Sequence, residues 1–182
     1  AWKEGAHRAL LQRERKTNMS DNNNSARFVG KPRRLPQVFQ RYDPALYFIT
    51  ANTSGRKALL ASEDVHQAFR NYAIRNSESG RVIGRYVIMP DHVHFFVRLG
   101  CNGRLNDFVR LMKQEISKTL KMLFGAQSHY WQPGFFDHLL RHGENYRQKW
   151  EYVAQNPVRA GLVARAEDWP YQGEIARLEW HS

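Results

Sequence analysis

His92, His94, Tyr152 and Asn156 are the residues whose types and spacing can do chemistry. His92 and His94 stand two apart in the apolar run HVHFFVRL. Residues two apart on a strand share a face, so two imidazoles can converge on one metal ion while Val93 points the other way into a core. The alternative is a pair of ordinary surface or core histidines. Tyr152 and Asn156 stand four apart in a helical stretch that Pro157 is expected to stop, and side chains at that spacing share one helix face. A phenol and an amide so placed can address one point in space. They can equally be a core tyrosine and an amide at the helix C-terminus. Spacing alone leaves both pairs open.

The elements that must hold these residues follow from hydrophobic periodicity. Residues 45–52 (ALYFITAN) read as a strand. Residues 58–76 fit a helix, with Val65, Ala68, Phe69, Tyr72 and Ala73 on one face. Residues 81–89 and 92–99 form a hairpin about Pro90-Asp91. Residues 104–124 make a second amphipathic helix that buries Leu105, Phe108, Val109, Met112, Ile116 and Leu120. A fourth strand is expected over 135–140 and a third helix over 144–155. The order β-α-β-β-α-β followed by a helix is an α+β, ferredoxin-like split βαβ arrangement. That arrangement alone implies no function. Three regions are expected: a polar, basic N-terminal arm over 1–42, the folded domain over 43–165, and a C-terminal tail over 166–182.

The 182 residues carry 28 Lys and Arg against 17 Asp and Glu, a net charge of +11. Such an excess on a small protein argues for a polyanionic partner, and with 13% aromatic residues it suits single-stranded nucleic acid. Candidate phosphate contacts are Lys31, Arg33 and Arg34 in the arm, Lys113, Lys118 and Lys121 on the second helix, and Arg141 and Arg147 beside the third. Arg159 and Arg165 belong to the same basic surround. Trp131 is a candidate to stack a base, with a core role as the alternative. No apolar run has the length of a membrane helix and no signal peptide is visible. The single cysteine, Cys101, suits a reducing compartment. The expected location is cytoplasmic.

The stretch Tyr86 to Val97 (YVIMPDHVHFFV) resembles the HUH strand of the single-tyrosine (Y1) transposases. WQPGFFDH from Trp131 to His138, then Arg141, then EYVAQNPVRAGLV from Glu151 to Val163, resemble the REP-associated tyrosine transposases in particular. The likeness runs from about Tyr42 to Trp169. It implies an HUH domain whose extra C-terminal helix carries the catalytic tyrosine. Residue by residue, Tyr152 matches the nucleophile, His92 and His94 match the metal-binding histidines, and Asn156 matches a third ligand that is usually Gln in the insertion-sequence relatives. Asp137 and His138 recur in the family block, and His138 is read as structural or substrate-positioning.

The resemblance also implies a substrate and a reaction. The substrate is single-stranded DNA beside short imperfect hairpins, the repetitive extragenic palindromes. Two imidazoles and an amide oxygen suit Mn²⁺ or Mg²⁺, although ligand type alone would also admit Zn²⁺. Tyrosine attack leaves a 5′-phosphotyrosine link and a free 3′-OH. The link conserves the phosphodiester energy, so a second 3′-OH can reverse it without ATP. Within this branch the expectation is a domesticated enzyme acting as a monomer or homodimer. The rival readings are a non-catalytic single-strand-binding module on the same fold and a hydrolase using a zinc-bound water.

Overall fold

The computed structural model describes residues 45–100, 103–126, 129–140 and 143–178. The proposed arm with its boundary at 42, and Cys101 and Arg141, lie outside them. Strand β1 (Ala45–Asn52) is followed by a single 3-10 turn, helix α1 (Glu63–Ser77), strands β2 (Arg81–Ile88) and β3 (His92–Leu99), helix α2 (Leu105–Phe124) and strand β4 (Phe136–Leu140). Helix α3 (Gly143–Ala154), a short α4 (Asn156–Arg159) and strand β5 (Gln172–Glu174) complete the order. The strands form one antiparallel sheet in the order β4-β1-β3-β2-β5. The first four strands reproduce the split βαβ arrangement expected from the element order.

Alternation along the central strands builds a core on each face. Tyr47, Ile49 and Ala51 of β1 and Val93, Phe95 and Val97 of β3 meet Phe69 and Tyr72 of α1 and Phe108, Met112 and Ile116 of α2. Leu46 and Phe48 of β1 and Phe96 of β3 face the other way, against Tyr146, Trp150 and Val153 of α3 and Trp169 and Leu178 beyond it. Because side chains alternate with period two, His92 and His94 share this second face with Phe96. The helix bearing Tyr152 packs on that same face.

Two expectations need correction. The first helix begins at Glu63, not at residue 58. Leu59 and Leu60 send their N–H groups to the Pro90 carbonyl, both at 2.8 Å, which fixes them outside the helix. Ser62 then caps it by accepting from the Val65 N–H, and Glu63 and Asp64 complement the helix dipole. Residues 166–178, expected as a tail, contribute to the sheet and the second core. Gln172–Glu174 pair with β2, and the buried Trp169 donates its indole N–H to the Ile88 carbonyl at 2.9 Å. Leu178 fits because residue 84 is glycine: a Cβ there would lie 2.6 Å from Leu178 Cδ1. Pro157 ends α3 as expected, but the chain resumes at once as α4, with the proline in its first turn where no backbone bond is lost.

Candidate active site

The imidazoles of His92 and His94 lie with ring centroids 4.6 Å apart and planes nearly perpendicular at 83°. Each ring is fixed at Nδ1. His92 Nδ1 donates to the Asp91 carboxylate at 2.6 Å. His94 Nδ1 meets the Thr50 hydroxyl at 2.8 Å, across the β1–β3 ladder where the two residues are directly paired. Phe48 stacks on the His94 ring at 5.4 Å and 19°. With both Nδ1 atoms engaged, Nε2 is the nitrogen each ring has left for a ligand. Partners of this kind orient metal-binding imidazoles and raise their basicity.

The polar surround extends outward from Asp91. Its second oxygen pairs with Arg56 at 2.7 Å, and Arg56 also donates to the Asn52 amide oxygen at 2.6 Å. Arg56 is the described non-glycine residue with positive φ, at 56°. Such a conformation persists where side-chain bonds over-determine it.

Burial pulls His94 down to about 3, helped by the neighbouring His92 and Arg56. Burial also pulls His92 below its ordinary value, against the opposing pull of the Asp91 carboxylate. Both rings are therefore neutral at pH 7 and able to donate a lone pair. Among the described residues no three His, Cys, Asp or Glu side chains gather as a metal site. A cation held by this imidazole pair would have to complete its shell with amide, phosphate or solvent oxygens.

Helix α3 packs on the imidazole side of the sheet through Tyr146, Trp150 and Val153, and it carries Lys149 and Tyr152. The Lys149 ammonium lies 5.2 Å from the centre of the Phe48 ring, on the residue that stacks on His94. Tyr152 is 64% exposed, so the reading of a core tyrosine does not hold. The Arg159 guanidinium sits 4.0 Å over its ring and donates to its backbone carbonyl at 2.6 Å. Arg159 also donates to the Asn156 amide oxygen. The structure thus gathers His92 with His94, and Tyr152 with Asn156, and it turns the Asn156 oxygen onto an arginine.

The basic candidates are dispersed. Lys113, Lys118 and Lys121 ride on α2, which covers the sheet face opposite the imidazoles. Lys113 donates to the Gln132 and Gly134 carbonyls at 2.9 and 2.5 Å and lies 5.5 Å from the Trp131 ring centre. Lys118 pairs with Glu115 at 2.8 Å, and Lys121 is exposed. The Trp131 indole donates to the Lys113 carbonyl and the Ser117 hydroxyl, so it is half-buried and tied to α2. Arg147 is exposed on α3, while Lys31, Arg33 and Arg34 lie outside the described residues. Sequence reasoning missed Thr50, Arg56, Lys149 and the orienting role of Asp91. Asp91 adjoins His92 in the chain. Thr50 could be found only from the strand register.

The family described as Transposase IS200 like matches residues 45–156, from the first residue of β1 to Asn156. The chain belongs to this family of single-tyrosine HUH transposases. It is 29% identical over 126 residues to the REP-associated tyrosine transposase of Escherichia coli (strain K12), a match covering 69% of this chain and 73% of that protein. It is also similar to a solved REP-associated tyrosine transposase bound to a REP hairpin, at 27% identity and a TM-score of 0.60, covering 79% of this chain and 81% of the other.

Proposed function

We propose that the protein is a metal-dependent endonuclease and strand transferase that cuts single-stranded DNA beside REP-type hairpins through a covalent tyrosine intermediate. The observation that carries this reading is the neutral His92–His94 pair, each ring held at Nδ1, on the sheet face over which the Tyr152 helix packs. The solved relative was captured with a REP hairpin, which supports the same substrate class here.

The residues fit a divalent cation such as Mn²⁺ or Mg²⁺. His92 and His94 would hold it through Nε2, and Asn156 is the third candidate once its oxygen leaves Arg159. When bound, the ion supplies positive charge to the phosphate oxygens and to the leaving oxygen. The Tyr152 hydroxyl oxygen attacks the phosphorus and the P–O3′ bond breaks. The phenol loses its proton and the departing 3′-oxygen gains one. The protein keeps a 5′-phosphotyrosine, and a second 3′-OH reverses the step with the same balance. Arg159 places its charge against the Tyr152 ring, and Lys149 is a second cation on the imidazole side. The likeness to the REP-associated branch supports a domesticated enzyme working on host palindromes.

The test is cleavage of a single-stranded REP-type hairpin with Mn²⁺. His92→Ala and His94→Ala should each abolish cutting, and a chelator should do the same to the unaltered protein. Cutting by both variants at the original rate would contradict the metal assignment.

A further inference from the structure

We infer that Phe136 is a stacking platform for one unpaired nucleobase of the DNA strand, set beside the imidazole pair. The inference deepens the function proposed above and rests on it. β4 is an edge strand of the sheet, and its register places Phe136 opposite Thr50, which is itself opposite His94. Phe136, Thr50 and His94 therefore form one row across three strands. They share a face, because Leu140, four residues beyond Phe136 on the same strand, packs into the core on the imidazole side. Thr50 is the hydroxyl that fixes His94.

Phe136 is 56% exposed, although the preceding Phe135 packs against the opposite core. An apolar ring left in water on an edge strand gives the fold little. Phe136 is the exposed described phenylalanine on the imidazole side, whereas Phe124, the other exposed one, ends the helix that covers the opposite face.

The occupant follows from the chemistry around the ring. The chain carries a net charge of +11, so an acidic polymer is attracted to it. A strand whose phosphate lies at the imidazoles must lead its neighbouring nucleotides across the adjoining sheet surface. An unpaired base offers a flat apolar face to an exposed phenyl ring, and such stacking tolerates any base. An unpaired base is thus the part of the substrate this platform takes.

The experiment uses the full chain with a chelator present, so that binding is read without cutting. Hairpin oligonucleotides carry 2-aminopurine at successive unpaired positions. One position should be quenched on binding. Phe136→Ala should abolish that quenching and weaken affinity by at least about fivefold, and Phe136→Tyr should restore both, whereas Phe136→Leu should not. The slope of affinity against salt should stay the same in all three variants, because stacking releases no counterions. The exposed position allows the alanine variant to fold, and its melting curve checks this. Unchanged affinity and quenching in Phe136→Ala, with cleavage by the unaltered protein intact, would overturn this inference alone. An altered salt slope would also overturn it, by assigning the loss to displaced phosphate contacts. Absence of any single-strand binding by the unaltered protein would overturn it together with the proposed function.

Discussion

Thr50 and Asp91 contribute nothing to a ligand count, yet they decide which nitrogen of each imidazole faces outward. Removing such a partner typically costs about 10- to 100-fold in metal affinity. Thr50→Val and Asp91→Ala should each weaken Mn²⁺ binding to that extent in a titration followed by electron paramagnetic resonance; unchanged affinity in both would deny them an orienting role. Arg159 acts in the opposite sense. It holds the Asn156 oxygen, so Arg159→Ala should tighten Mn²⁺ binding, and the gain should vanish in the double variant with Asn156→Ala. A gain that survives the second substitution would remove Asn156 from the metal site. The depressed basicity of His94 also has a consequence for the metal-free protein. An unfolded imidazole takes up a proton near 6.5, whereas His94 in the fold resists until about 3. Its contribution to stability is therefore fully present above 6.5 and lost as pH falls from there toward 3. Thermal melting in chelator should show this loss, and His94→Ala should lessen it. That His92 and His94 share a face was legible because strand periodicity is short and strict, whereas their metal role came from the resemblance. Thr50 was not, since a residue 44 positions away is brought near only by strand pairing.

At the level of elements, the central strands and α2 could be read almost to their ends, because their apolar residues keep a clear period over many positions. The start of α1 could not. Leu59 and Leu60 fit a helical pattern, but the Pro90 carbonyl takes both their N–H groups, and that contact lies in another part of the chain. β5 was invisible for a different reason. Its sequence is Gln-Gly-Glu, without any apolar alternation, and it is a strand only because β2 presents an open edge. The signal that could have found it is Trp169, an aromatic too large to leave in a polar tail. Trp169→Ala should destabilise the domain by about 3–5 kcal/mol through lost packing. Trp169→Phe should cost about 1 kcal/mol, for the hydrogen bond to Ile88. Denaturant melts of the two variants check the difference. Equal and negligible losses would show that residues 169–178 do not stabilise the sheet.

At the scale of the whole molecule, the net charge of +11 indicated a polyanion, but it did not say where the strand runs. The lysines that charge counting selected on α2 lie on the layer opposite the imidazoles, and two of them already hold protein partners. On the imidazole side, Arg56 pairs with Asp91, Lys149 lies against the Phe48 ring and Arg85 lies over Trp150, while Phe136 stands in the row of Thr50 and His94. No helix among the described residues is long and apolar enough to cross a membrane. The charge and the sheet-borne site together suit a strand lying across the sheet rather than a duplex read in its groove, and the same sequence annealed as perfect duplex should not be cut. Tyrosine catalysis is tested most directly by trapping a covalent adduct. The protein is incubated with a single-stranded REP-type hairpin and Mn²⁺, denatured, and digested for mass spectrometry. The expected product is a nucleotide joined by its 5′-phosphate to Tyr152, with no adduct from Tyr152→Phe even though that variant binds the hairpin normally. An adduct formed at the original level by Tyr152→Phe, or cleavage with no adduct on any residue, would contradict tyrosine catalysis.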